Sequence, residues 1–214
     1  LSTEQSERMQ LKVWAKAMRE LAVREGAFND DIRGVLEMYP DELKFINMVL
    51  DRAETILSAR RASGDRRGVV IGIVAPGAAG KSTLTDLITL ASKLRNRATG
   101  YIGSDSCLHP GAGFRYDYNG WPNEFRNTHL WGPGIYDDIK LYGLLANLKD
   151  GGSMIKPADE KLHKAEEKIG PGLEIIVSDG VFVGLDHDLA GLIDILVSIQ
   201  VDGTEEARLK IKSD

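Results

Sequence analysis

Disulfides, membrane spans and nucleic-acid footprints are all wanting in this sequence. Cys107 is the only cysteine among 214 residues, so no internal disulfide framework can form and a reducing, cytoplasmic setting is expected. No apolar run approaches the roughly 18 residues that suggest a membrane span. The chain begins at Leu1 rather than Met and shows no charged-then-apolar leader, so trimmed termini are expected. Basic residues are not in excess: 27 Lys and Arg stand against 32 Asp and Glu, a net charge of -5, which argues against nucleic acid and for a small-molecule partner. Internal repeats and low-complexity tracts are missing as well. With 43% hydrophobic content, the chain can bury one substantial core.

What is present begins with helices. Leu11, Trp14, Met18 and Leu21 recur near the helical period, as do Leu43, Ile46, Leu50, Ala53, Ile56 and Leu57. Gly26 is a stop signal between them, and Tyr39, Pro40 and Asp41 look like the start of the longer helix. Residues 60–68 read as a linker. From Val69 the pattern changes to short β-branched runs alternating with helical ones. "VVIGIV", "ATGYIGS", "LEIIVSDG" and "IDILVSIQVD" are strand-like, while Leu84, Leu87, Ile88, Ala91 and Leu94, then Leu141, Leu144, Leu145 and Leu148, mark helix faces. Buried strands alternating with helices predict an α/β fold with a parallel sheet covered on both faces.

Between the first strand and the helix after it run Ala75, Pro76, Gly77, Ala78, Ala79, Gly80, Lys81, Ser82 and Thr83. In a phosphate-binding loop (P-loop), small residues let successive N–H groups turn toward phosphates and the next helix offers its positive end. The lysine then reaches the outer phosphates and the hydroxyl takes Mg²⁺. Gly80, Lys81 and Ser82 supply the essential end of that motif, and Ala75 replaces its first glycine. The competing reading is a plain tight turn.

Such a loop serves both kinases and switch-type NTPases. A guanine switch carries N-K-x-D downstream, whereas Asn147, Leu148, Lys149 and Asp150 have the wrong order at a helix end. Asp105 follows the second strand at the edge where parallel sheets bind ligands, and a carboxylate there can orient or deprotonate an acceptor hydroxyl. Asp179 repeats the arrangement after the third apolar strand and suits Mg²⁺. Each of these aspartates also has a plainer reading as a turn residue. The loop 114–131 concentrates Phe114, Tyr116, Tyr118, Trp121, Phe125 and Trp131, either a wall of the acceptor site or a satellite core. Arg115 and Arg126 within it can bind an anionic group on the acceptor. Cys107 reads as a packing residue.

Taken in order, "APGAAGKST", "SDSCLHP", "GPGIYDD", "LKDGGSMIKP" and "IIVSDGVFV" resemble the uridine kinase, phosphoribulokinase and type I pantothenate kinase superfamily, over roughly Val69 to Asp214. "SDSCLHP" is similar to the D-G-F-L-Y-P of pantothenate kinases, and Tyr136-Asp137 to their S-Y-D. The terminal "VDGTEEARLKIKSD" resembles the uridine-kinase helix that leads into a lid over ATP. The resemblance implies a three-layer, nucleoside-kinase-like P-loop fold: residues 1–65 as an N-terminal helical extension and residues 66–214 as the kinase core. The lid and later strands of the relatives lie past Asp214, beyond the chain as given. It further implies that ATP and Mg²⁺ are the cofactors, Asp105 the base, Asp179 the acidic metal-side residue, and Arg208 and Lys212 lid cations. His109, Tyr136 and His163 fall on the acceptor side by the same likeness, His163 having a plain surface reading too, and a homodimer is expected. Departures stand beside these matches. Ser106-Cys107 replaces Gly-Phe, and no aromatic follows Pro157, so neither familiar acceptor is implied. The reading is an ATP-dependent kinase acting on a pantothenate-like, nucleoside or sugar/glycerate-type hydroxyl; the alternative is a regulatory NTP-binding module or NTPase switch.

Overall fold

A computed structural model of the chain describes residues 3–38, 40–75, 79–107, 138–156, 167–180 and 187–200. Three helices come first: α1 (Thr3–Arg24), α2 (Asp30–Met38) and α3 (Pro40–Ala62). α1 buries Leu11, Met18 and Leu21, and α3 buries Leu43, Ile46, Leu50, Ala53 and Leu57, as their periodicity predicts. α2 instead occupies a stretch that periodicity alone leaves as a connection. Its determinants are local: the Ile32 N–H donates to the Asn29 side chain at 2.9 Å, and Asp30 and Asp31 sit in the first turn, where the helix pole is positive. At nine residues with Gly34 inside, it is too short to display a period.

Next come β1 (Val69–Val74), α4 (Lys81–Leu94), β2 (Thr99–Gly103), a 3-10 turn (Ser104–Cys107), α5 (Asp138–Lys149), β3 (Met154–Lys156), β4 (Glu167–Ile169), β5 (Ile175–Gly180), α6 (His187–Leu192) and β6 (Ile195–Ser198). Four of these strands form a parallel sheet in the order β2-β5-β1-β6. The two central ones, β1 and β5, are buried nearly throughout, which is why they read as unbroken apolar runs. β3 and β4 pair antiparallel as a separate ribbon, Met154 opposite Ile169. Three-residue strands carry no readable alternation, and the sequence does not reveal them.

The two faces of the sheet carry two cores. Val69, Ile71, Ile73, Ile175 and Val177 pack toward α4 and the N-terminal helices, whereas Val70, Ile102 and Ile176 pack with Leu141, Leu145 and Leu148 of α5 and Leu189 of α6. α4 buries Thr85, Leu87, Ile88, Leu90, Ala91 and Ser92, too broad a set for one amphipathic stripe, because α1 and α3 cover it on the side away from the strands. Arg95, just after α4, donates to the side chains of Asn47 and Asp51 of α3 at 2.6 and 2.7 Å.

At the amino ends of the parallel strands lies a buried ion cluster. Asp194, just before β6, accepts hydrogen bonds from Arg60 of α3, from Lys149 of α5 at 3.1 Å and from the Val70 N–H at 2.9 Å. The side chains of Arg60, Asp194 and Lys149 are only 15%, 13% and 7% exposed. Arg60 also donates to the Gly68 carbonyl and Lys149 to that of Leu192. Burial pushes the Asp194 carboxyl up, but its bonds to Arg60, the Val70 amide and Lys149 outweigh this and hold it below the ordinary carboxylate range. The expected linker thus starts inside α3, and its first residue is an anchor. Among the described residues no helix is long and apolar enough to cross a membrane.

Candidate active site

The opposite edge of the sheet, where the strands end, collects the chemistry. β1 runs through Val74 into the buried Ala75, and α4 starts at Lys81. Gly80 joins loop to helix with φ +82° and ψ 15°, a left-handed conformation that a Cβ disfavours. Among the described non-glycine residues only Asn96 has positive φ, so Ala75 takes the place of the motif's first glycine without backbone strain. α4 has no side-chain cap at its N-terminus and no acid in its first turn, an arrangement that leaves its positive pole suited to an anion. Lys81 Nζ donates to the Ala75 carbonyl at 3.1 Å, linking the two ends of the loop. Ser82 in that first turn is exposed, and Ala79 and Thr83 are half-buried. Pro76, Gly77 and Ala78 lie outside the described residues.

Beside this loop, β5 holds Asp179 level with Ile73 of β1 and Gly103 of β2. Its side chain is buried, and a buried carboxylate needs partners. The Tyr101 hydroxyl donates to Asp179 Oδ1 at 2.7 Å. Tyr101 reaches it by lying along β2 over Gly103: a Cβ on Gly103 would collide with the phenol oxygen and stand 2.6 Å from Asp179 Oδ1. Lys156, the last residue of β3, holds its Nζ 4.3 Å from the centroid of the Tyr101 ring, a cation–π contact.

Asp105 lies in the 3-10 turn directly after β2, and its side chain is outside the described set. Cys107, at the end of that turn, is wholly buried in the core beneath α5, as a packing residue would be. His109, Arg115, Arg126, Tyr136, His163, Arg208, Lys212 and the aromatics of 114–131 also lie outside the described residues. The structure therefore sets Ala75, Gly80, Lys81, Ser82 and Asp179 on one edge of adjacent strands, with the backbone of Asp105 just past β2. Tyr101, Gly103 and Lys156 are additions that sequence reasoning missed. Their one signal is the pair of glycines within "TGYIG", since glycine in a strand often marks close approach of another group.

Among the described residues no group of three or more His, Cys, Asp or Glu could cage a metal. The Ser82 hydroxyl and the Asp179 carboxylate are a sparse oxygen set. Mg²⁺ is commonly held by one or two carboxylates together with substrate phosphates and water, so this donor set fits a metal that arrives with a nucleotide.

No protein-family model matches the chain, and no curated protein matches its sequence. Solved structures do share its fold. A candidate fructose transport system kinase from Silicibacter sp. TM1040 is similar over 69% of this chain and 72% of its own, with a TM-score of 0.56 and 15% identity. A D-glycerate 3-kinase from Cryptococcus neoformans var. grubii serotype A is similar over 79% of this chain and 77% of its own, with a TM-score of 0.56 and 16% identity. The chain shares with these two kinases an α/β fold, a parallel sheet flanked by helices, and carries three helices before its first strand.

Proposed function

We propose that the protein is an ATP-dependent kinase that transfers the γ-phosphoryl group to a hydroxyl of a small molecule of pantothenate-like, nucleoside or sugar/glycerate type. One observation carries this reading: a phosphate-loop helix start and a buried carboxylate, Asp179, on neighbouring strands at one edge of the sheet. The fold shared with proteins named as fructose transport system and glycerate kinases supports the same class. Residues 1–65 are read as the helical extension and 66–214 as the kinase core, working in the cytoplasm.

Phosphoryl transfer depends on positioning and on charge neutralisation more than on covalent catalysis. In this reading the loop from Ala75 to Thr83 cradles the phosphates by the backbone N–H groups of its residues other than Pro76, and Lys81 offsets charge on the outer two. Ser82 and Asp179 would hold Mg²⁺, which when bound would supply neutralisation of phosphate charge. Asp105 orients the acceptor hydroxyl and takes its proton as the oxygen attacks the γ-phosphorus and the bond to the β-phosphate oxygen breaks. Arg208 and Lys212 close over the phosphates, and His109, Arg115, Tyr136 and His163 line the acceptor side.

A coupled ADP-release assay with Mg·ATP and a panel of pantothenate, nucleosides, glycerate and pentose phosphates tests this. The expected outcome is acceptor-dependent turnover that drops by about 10²–10⁴-fold in Asp105→Asn, as for loss of a positioned base, while ATP binding survives. ADP release indifferent to every acceptor and to Asp105→Asn would point instead to an NTPase switch. ATP binding without any turnover would point to a regulatory module.

A further inference from the structure

We propose that Tyr101 is a positioning residue of this site: its hydroxyl fixes the Asp179 carboxylate for the metal that accompanies the nucleotide, with Gly103 making room for it and Lys156 holding its ring. The inference rests on the kinase reading above. Four observations converge on it. The hydroxyl donates to Asp179 Oδ1, at 2.7 Å, although a tyrosine half-buried against the main core has no packing need for that bond. Gly103 pairs with Asp179 across β2 and β5, and any Cβ there would fill the space that the phenol oxygen occupies. The cation of Lys156 rests against the ring, a contact that restrains the ring and withdraws charge from its face, which makes the phenol a stronger donor. Finally, Asp179 is buried beside the loop, where a hydrogen bond to Oδ1 favours one orientation of the carboxylate.

Removing such a partner leaves the ligand in place but lets it turn, and the loss shows in metal affinity before it shows in folding. The test uses Mn²⁺ as probe, its binding followed by the electron paramagnetic resonance of the free ion, with a non-hydrolysable ATP analogue present. Tyr101→Phe keeps the ring and its packing. It is expected to weaken Mn²⁺ binding by about tenfold or more, the usual cost of deleting a group that orients a metal ligand. Affinity for the metal-free analogue should stay at its wild-type value, and the thermal midpoint should fall by only a few degrees, the cost of one hydrogen bond to a buried carboxylate. In turnover assays the variant should need more Mg²⁺ to reach half-maximal rate, with most of kcat recovered at saturating metal. Gly103→Ala, which displaces the hydroxyl without deleting it, is expected to reproduce the loss. Wild-type Mn²⁺ affinity in Tyr101→Phe overturns this inference and leaves the kinase reading standing. A wild-type protein that binds the analogue but gains no Mn²⁺ affinity from it, or that binds no analogue, overturns both.

Discussion

At the scale of single residues, the phosphate loop depends on two side chains with opposite tolerances. Lys81 spans the loop to the Ala75 carbonyl and is the cation proposed to meet phosphate, so Lys81→Ala is expected to weaken ATP binding by about tenfold to a hundredfold, the worth of a charged hydrogen bond. Titration calorimetry reads this directly. Ala75→Gly is the contrasting case. Because Ala75 already has an ordinary φ, restoring the motif's glycine should leave ATP affinity within about twofold and cost roughly 0.5–1 kcal/mol of stability through added chain freedom. The strand, the loop position and the helix start at Lys81 were legible in the sequence because small residues between an apolar run and a helical period mark them over a short, continuous stretch. The same holds for Asp179 at the end of its apolar run. The Tyr101–Asp179 bond was not legible, since its partners lie 78 residues apart and meet only because β2 happens to neighbour β5.

Elements were readable in proportion to their length and burial. α1, α3 and α4 have enough turns to show a period, and β1 and β5 enough consecutive apolar residues to stand out. α2 and the β3–β4 ribbon are short, and what specifies them is a cap or a partner strand rather than a pattern. The cap makes a quantitative expectation possible. Asn29→Ala should cost about 1 kcal/mol, as N-cap deletions commonly do, visible as a lower urea midpoint with an unchanged slope. Because Ile32 is the one fully buried side chain of α2 among the described residues, Ile32→Ala should cost more, roughly 2–5 kcal/mol.

For the whole molecule, strand order is what the sequence withholds, and with it the meeting of Arg60, Lys149 and Asp194. These come from α3, from the end of α5 and from the start of β6, and they converge at the amino ends of the sheet. Arg60→Ala strips the main partner from a mostly buried carboxylate and should destabilise the protein by about 3 kcal/mol. The cluster also gives a pH signature. The Asp194 pKa is depressed in the folded state, so its contribution is complete above the unfolded value of about 3.9 and fades as pH falls below it. Wild-type stability measured from pH 6 down to pH 3 should therefore drop more steeply than that of Asp194→Asn, with the difference confined to the acid end. The ion cluster and the phosphate loop stand at opposite ends of the same strand, β1. One end is clamped by charges drawn from three distant stretches of chain, and the other turns on a glycine and small residues. The strand is thus tied by charge at one end and runs into small residues at the other, so a chain lacking α3 would lose Arg60, and with it the tie at the base, while the residues of the loop stayed in place.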